Sequence, residues 1–236
     1  MSSLITPKGL FQTGEIGTIL SMYISNYKGG RNESFMYGLD RQTMWYDYDL
    51  TSAYTTVMAG IGHPNYPKGR RISVSELKKM TPREIVFSYL LIKAEFTFPD
   101  NVKYPSIPCF VDENTTVYPL SGECSLTGAE YLLAVNQKCD LKISDIYYIP
   151  FDLPPTAQQG RGVEMMHPFK SLIKEVQTKR REYKKGSINN LLYKEMGNSI
   201  YGNLVRGLGN KRKFDIKTGQ RKRMEGSELS NPILAS

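Results

Sequence analysis

Long apolar runs are missing from this chain: no stretch approaches the roughly eighteen uninterrupted apolar residues of a membrane helix. The opening MSSLITPKGLF also lacks the charged-then-apolar layout of a secretory leader. The expectation is a protein that is not secreted and has no membrane partner. Cysteine is scarce. Its three copies, Cys109, Cys124 and Cys139, stand fifteen residues apart, which fits no zinc spacing and leaves an odd thiol under any disulfide scheme. They read as reduced, small core residues. No internal repeat is found, which sets aside solenoids and propellers. Acid is short in one region only: residues 161–236 hold 17 Lys and Arg against 7 Asp and Glu, a net +10, whereas residues 1–160 hold 14 against 16, a net −2. Such asymmetry suits a polyanionic partner, a nucleic acid or a nucleoside triphosphate, as well as a plainly solvated basic face.

What is present is enough for a real core, with 40% apolar residues over 236 positions, room for one large domain or two small ones. From residue 35 the pattern is strand-like, with MWYDYDLTSAY alternating polarity, and TTVMAGIG continues as an apolar turn or short helix. Residues 84–98 (EIVFSYLLIKAEFTF) read as one long strand or two short ones. LTGAEYLLAVNQ opens as a capped helix with Thr127 as N-cap and Glu130 three residues on, and the strand KISDIYYIPF follows. FDLPPTAQQGRG is the linker candidate. Beyond it, residues 167–185 are helical by period, with Phe169, Leu172, Ile173, Val176 and Tyr183 on one face. Gly186 stops that helix and Ser187 caps a second, SINNLLYKEMGNSIYGNLV, giving an antiparallel helical hairpin. The basic stretch after Gly207 suits a β-hairpin.

Two places concentrate chemistry. Asp47 and Asp49 are two apart, so on a strand both carboxylates project from one side, as hard oxygen ligands for a divalent metal or as a solvated pair. On the second helix Lys194, Asn198 and Tyr201 fall at i, i+4 and i+7, a cation, an amide and an aromatic on one stripe, with Ile188, Leu192 and Met196 nearly opposite. That composition suits a nucleotide: ammonium to phosphate, phenol ring to base or sugar. Gly202, in mid-helix, costs stability and is useful where something must approach closely.

These residues carry a resemblance. Asp49-Leu50-Thr51-Ser52-Ala53-Tyr54 resembles motif A of family B DNA polymerases (DxxSLYP), and KEMGNSIYG at 194–202 matches their motif B (KxxxNSxYG). YKGGR at 27–31 looks like the YxGG loop between their exonuclease and polymerase domains. The compact spacing and the SLTGAEYLLAV segment look most like the protein-primed branch of phages, linear plasmids and organellar elements. The resemblance implies an α+β fold, an antiparallel-sheet palm with a helical-hairpin fingers subdomain. It divides the chain into an N-terminal segment (1–39), a palm with an inserted region (40–160), fingers (161–207) and a return to the palm (208–236). It implies template-dependent deoxynucleotidyl transfer with Mg²⁺ or Mn²⁺.

By the same resemblance Asp49 is the catalytic carboxylate and a ligand of both metals, and the Leu50 carbonyl is a further ligand. Ser52, Ala53, Tyr54, Lys194, Asn198 and Tyr201 bind the nucleotide, Tyr54 as the gate against ribose. An Arg and a Lys four apart on the first finger helix join them, Arg180 with Lys184 in preference to Arg181 with Lys185. Tyr27, Gly29, Gly30, Arg31 and Gly202 are expected at the DNA, with Lys211, Arg212 and Lys213 of the basic stretch. Ala53 stands where the family has Leu and Thr55 where it has Pro, and Asp47 is outside the pattern. No YxDTD-like motif C follows motif B in these 236 residues, so the chain reads as a palm-plus-fingers piece, lacking exonuclease, motif C and thumb and inactive alone. Expected partners are primer-template DNA, deoxynucleoside triphosphates, a terminal priming protein and a second polypeptide carrying motif C and thumb. The expected location is the cytoplasm of a host cell, for a virus- or plasmid-encoded protein, or an organelle. The alternative is a non-catalytic DNA-binding module descended from a polymerase.

Overall fold

The computed structural model describes residues 19, 22–24, 26–28, 30–31, 33–34, 36–39, 41, 44–50, 52–111, 115–151, 167–204, 206, 212–223 and 233, the side chains of 212, 213 and 223 excepted. Its centre is a four-stranded antiparallel sheet in the order β1-β6-β2-β5, from β1 (Arg70–Arg71), β2 (Ser88–Thr97), β5 (Ser121–Thr127) and β6 (Asp140–Pro150). β3 (Cys109–Phe110) and β4 (Thr116–Val117) form a small separate ladder. β2 is central because its residues bury both faces. Leu90, Ile92, Ala94 and Phe96 cluster with Ala134, and Leu91 joins Tyr23, Ile149 and Ile233 in a second cluster. The three consecutive buried residues Leu90, Leu91 and Ile92 are the signature of a strand covered on both sides. A bulge between Lys93 and Ala94 shifts the register against β6.

The helix after β5, α4 (Gly128–Asn136), starts as its sequence requires: Thr127 accepts from the Glu130 amide while Glu130 accepts from the Thr127 amide at 2.7 Å. An identical box at Thr81 and Glu84 opens α3 (Pro82–Val86), preceded by the short α2 (Val74–Leu77). That box corrects the expected strand over 84–98. Proline at the first helical position and a reciprocal cap outweigh the β-branched residues, so 84–86 are helical and the strand starts at Ser88. The three cysteines are free and partly buried. Burial pushes the Cys124 thiol up to about 12.

The strand-like reading of residues 35–54 is also corrected. Residues 44–50 have no regular secondary structure and belong to no ladder among the described residues, and Ala53 already begins α1 (Ala53–Gly60). Alternating polarity gives a strand its faces but not its neighbours, and here every side chain of 44–50 is exposed, Tyr48 to 88%. The expected hairpin of helices is present as α5 (Lys170–Arg181) and α6 (Ile188–Leu204). α5 ends four residues before the expected 185, where the chain turns through Gly186 at φ 85°. Ser187 then caps α6, its hydroxyl accepting from the Asn190 amide. The hairpin packs on α1 through Met58, Phe169, Ile173 and Leu204. The basic stretch forms β7 (Arg212–Asp215) and β8 (Gln220–Arg223). The candidate linker beyond Phe151 lies outside the described residues. No helix among the described residues is long and apolar enough to cross a membrane.

Candidate active site

The site is built where α1 begins. Ser52 sits in the left-handed region (φ 59°, ψ 35°), unusual for a residue with a side chain. Its carbonyl accepts from the Thr56 amide at 2.9 Å and from the Thr55 hydroxyl at 3.0 Å, which fixes the turn. Its own hydroxyl caps nothing. The amides of Ala53, Tyr54 and Thr55 have no partner within the helix, so they present partial positive charge at this end.

α6 crosses this start closely because of Gly197: a methyl there would lie 3.3 Å from the Thr55 side chain. The crossing leaves a small cavity of about 20 Å³ whose walls include Ser52, Gln177, Arg180, Lys194 and Asn198. The start of α1, which carries the motif A residues, α6, which carries the motif B residues, and α5 therefore meet at one point. Gln177, Tyr193 and Gly197 line the same cavity and were missed by the sequence reading. Gln177 was findable as the residue one turn before Arg180 on the same helix. Lys184 lies beyond the end of α5 and lines neither this cavity nor the neighbouring one, which Arg181 and Lys185 line instead. Ile188, Leu192 and Met196, opposite the stripe, are exposed rather than packed.

Three tyrosines join the three motifs. Tyr54 stacks on Tyr201, with ring centroids 4.4 Å apart and planes within 19°. The Tyr201 hydroxyl meets the Tyr27 hydroxyl at 3.2 Å. Burial, and then the bond with Tyr27, hold the Tyr201 phenol well above the usual tyrosine range. Gly30 closes the group, since a methyl there would stand 3.1 Å from the Tyr54 hydroxyl. Arg31 is engaged otherwise: it pairs with Glu33, donates to the Pro105 carbonyl at 3.1 Å and lies 3.7 Å over the Tyr118 ring. Gly202, on the same helix, has open space around it. Ala53 is exposed beside Tyr54. Gly29 and Lys211 lie outside the described residues, and Arg212 and Lys213 are placed on β7 by backbone alone.

Asp47, Asp49 and Leu50 lie on the exposed, irregular segment just before Ser52. Among the described residues no three His, Cys, Asp or Glu side chains gather as a metal cluster. Two carboxylates and a nearby carbonyl nevertheless fit Mg²⁺, which takes hard oxygens and commonly uses one or two carboxylates plus substrate phosphates rather than an all-protein cage.

No protein-family model matches the chain. It is 34% identical over 216 residues to the primer-independent DNA polymerase PolB of Escherichia coli, a match covering 90% of this chain and 24% of that protein. Its fold resembles that of Phi29 DNA polymerase in complex with primer-template DNA, with a TM-score of 0.51 and 16% identity over 99% of this chain and 40% of the other. The chain thus spans about a quarter of the length of its curated relative. The sequence match agrees with the family B resemblance carried by motifs A and B, and the structural likeness with an α+β architecture.

Proposed function

We propose that this chain, similar to family B DNA polymerases along most of its length, is the nucleotide-binding and template-holding part of a DNA polymerase. One observation carries the reading: Tyr54 of motif A stacks on Tyr201 of motif B beside a cavity walled by Ser52, Arg180, Lys194 and Asn198. Arg180 and Lys194 take the charge of the triphosphate, and the amides at the start of α1 with the Ser52 hydroxyl hydrogen-bond its oxygens. The Tyr54 ring, braced by Tyr201, closes the floor under the sugar and excludes a 2′-hydroxyl. Asn198 and Tyr201 face the new base pair. Gly202 leaves room for the DNA backbone.

The reaction joins a hydroxyl oxygen to the α-phosphorus, breaks the bond from that phosphorus to the bridging oxygen, and releases diphosphate. Asp49 and the Leu50 carbonyl would hold Mg²⁺ or Mn²⁺, with Asp47 a reserve ligand. Bound there, such ions neutralise the phosphates and make the attacking hydroxyl more acidic. Two ions about 4 Å apart need more than one aspartate, so the second carboxylate comes from outside these 236 residues, from a further segment or a second polypeptide. The compact motif spacing favours a terminal priming protein as source of the first hydroxyl. The primer independence in the relative's name favours a start without one. Either places the protein where DNA is replicated, in a host cytoplasm or an organelle.

The test is templated extension with and without a polypeptide carrying motif C and thumb. The chain alone gives no extension above background. Complementation restores it, and Asp49→Asn abolishes it again, because an amide keeps the shape but not the charge. Failure of complementation, with DNA binding intact, favours the non-catalytic module instead.

A further inference from the structure

The three cysteines take no part in the site described above, yet the fold packs all of them against one core cluster. Gly122 and Cys124 are two apart on β5 and so share a face, the one that Phe96 and Ala94 present as their partners on β2. β3 packs against this face: a methyl at Gly122 would stand 3.5 Å from the Cys109 Sγ. The Cys109 sulfur therefore lies beside the next residue on that face, Cys124, and the two thiols hydrogen-bond. Cys139 is engaged elsewhere, its thiol donating to the Asp140 carbonyl at 3.6 Å and accepting from the Thr97 amide. The segment that Cys109 and Cys124 bound also seats the YKGGR loop. Arg31 lies 3.7 Å over the Tyr118 ring, and Lys28 donates to the Ser125 carbonyl at 2.9 Å. The Lys28 ammonium also acts on both thiols, favouring their thiolate forms against the burial that raises them.

We propose that Cys109 and Cys124 are a dithiol that a small-molecule disulfide oxidises to an intrachain disulfide, pinning the β3–β4 ladder to β5 beside the YKGGR loop. The Cys109 sulfur, partly exposed on the short β3, attacks one sulfur of the small disulfide, breaks its S–S bond and releases one small thiol. The Cys124 sulfur then attacks the Cys109 sulfur of the mixed disulfide, and the second small thiol leaves. The protons of Cys109 and Cys124 end on the two small thiols; the protein gives up a pair of electrons and the small disulfide takes them. The pair stays reduced where the thiol pool is reducing and closes when that pool is oxidised.

The experiment is incubation of the 236-residue chain with oxidised glutathione at mildly alkaline pH, followed by peptide mapping without reductant and by calorimetric melting. The expected product joins Cys109 to Cys124, leaves Cys139 free and is reversed by dithiothreitol. Closing a loop of about fifteen residues raises the melting temperature by roughly 6–12 °C. That shift is read between the oxidised and reduced forms of one protein, so it does not depend on any variant folding. Cys109→Ser abolishes the crosslink and the shift, and Cys139→Ser keeps both. Glutathione left on Cys109 with no crosslink overturns the proposal, as does a disulfide that joins Cys139 to either of the others. A crosslink that moves the melting temperature by less than about 2 °C overturns the pinning of the ladder.

Discussion

Gly202→Ala separates stability from function at one position. Gly202 is exposed near the end of α6, and an added methyl would meet no atom within 4 Å. Replacing a helical glycine by alanine under those conditions gains on the order of 0.5–1 kcal/mol, at the low end here because the last turn frays. For a chain of this size about 1 kcal/mol moves the melting temperature by about 2–4 °C, so the variant melts one to four degrees higher, by about that conversion. If the open space exists for a DNA backbone, the same methyl overpacks the complex. Overpacking costs about 1–3 kcal/mol, or roughly five- to a hundredfold in affinity. Calorimetry and DNA binding at fixed salt read the two effects. A higher melting temperature with DNA affinity changed less than about twofold refutes the close approach and removes Gly202 from the interface. A lower melting temperature refutes the geometry itself.

Gly197→Ala acts the other way, because its methyl lands 3.3 Å from the Thr55 side chain at the α1–α6 crossing; it lowers the melting temperature, and adding Thr55→Ser recovers part of the loss in a double-mutant cycle. Tyr27→Phe removes one partner of the bond to Tyr201, costs about 0.5–1.5 kcal/mol, and raises ribonucleotide incorporation by the complemented enzyme; unchanged sugar selection would free Tyr201 from any dependence on Tyr27. Cys124, held near 12 by burial, keeps its proton in the folded state while an unfolded thiol loses it near 8.5. Its contribution to stability is therefore complete below the ordinary thiol range and lost as pH rises through it toward 12. Rapid labelling of Cys124 by a thiol reagent at neutral pH would contradict this. Changing Lys211, Arg212 and Lys213 together to Ala flattens the salt dependence of DNA binding, by about 0.9 in log K per log salt for each duplex phosphate that is no longer neutralised; an unchanged slope removes that stretch from the interface.

The parts of this fold that sequence reveals are those set by neighbours along the chain. Thr127 with Glu130, Ser187 after Gly186, and the i, i+4, i+7 stripe of Lys194, Asn198 and Tyr201 depend on a few adjacent positions, and each stands where expected. Residues 44–50 failed as a strand because a ladder needs a second strand, and alternation does not say which one is near. Residues 84–86 failed because the cue that decided them, TPRE, is three polar or ring residues and one threonine, outvoted in number by the apolar residues after it. The convergence of Tyr27 and Tyr201, 174 residues apart, is a tertiary fact. Resemblance to known motifs brought those residues under one function, but only the fold puts their hydroxyls in contact.

The choice between Arg180 with Lys184 and Arg181 with Lys185 shows why spacing was insufficient. On an unbroken helix residues four apart share a face, so both pairs satisfy the rule equally. α5 breaks at Arg181, however, and Lys184 and Lys185 belong to a turn whose course is set by Gly186 and by Asn190 pulling on the Arg180 and Tyr183 carbonyls. Once the helix ends, the i+4 relation no longer says where a side chain is. The result splits only the first pair: Arg180 lines both cavities without Lys184, while Arg181 and Lys185 stay together at the larger one. A cap that an asparagine supplies from the other helix therefore fixes the turn from which Lys185, but not Lys184, lines a cavity together with Arg180 and Arg181, and it does so from a position that the sequence presents only as an ordinary polar residue at the start of α6.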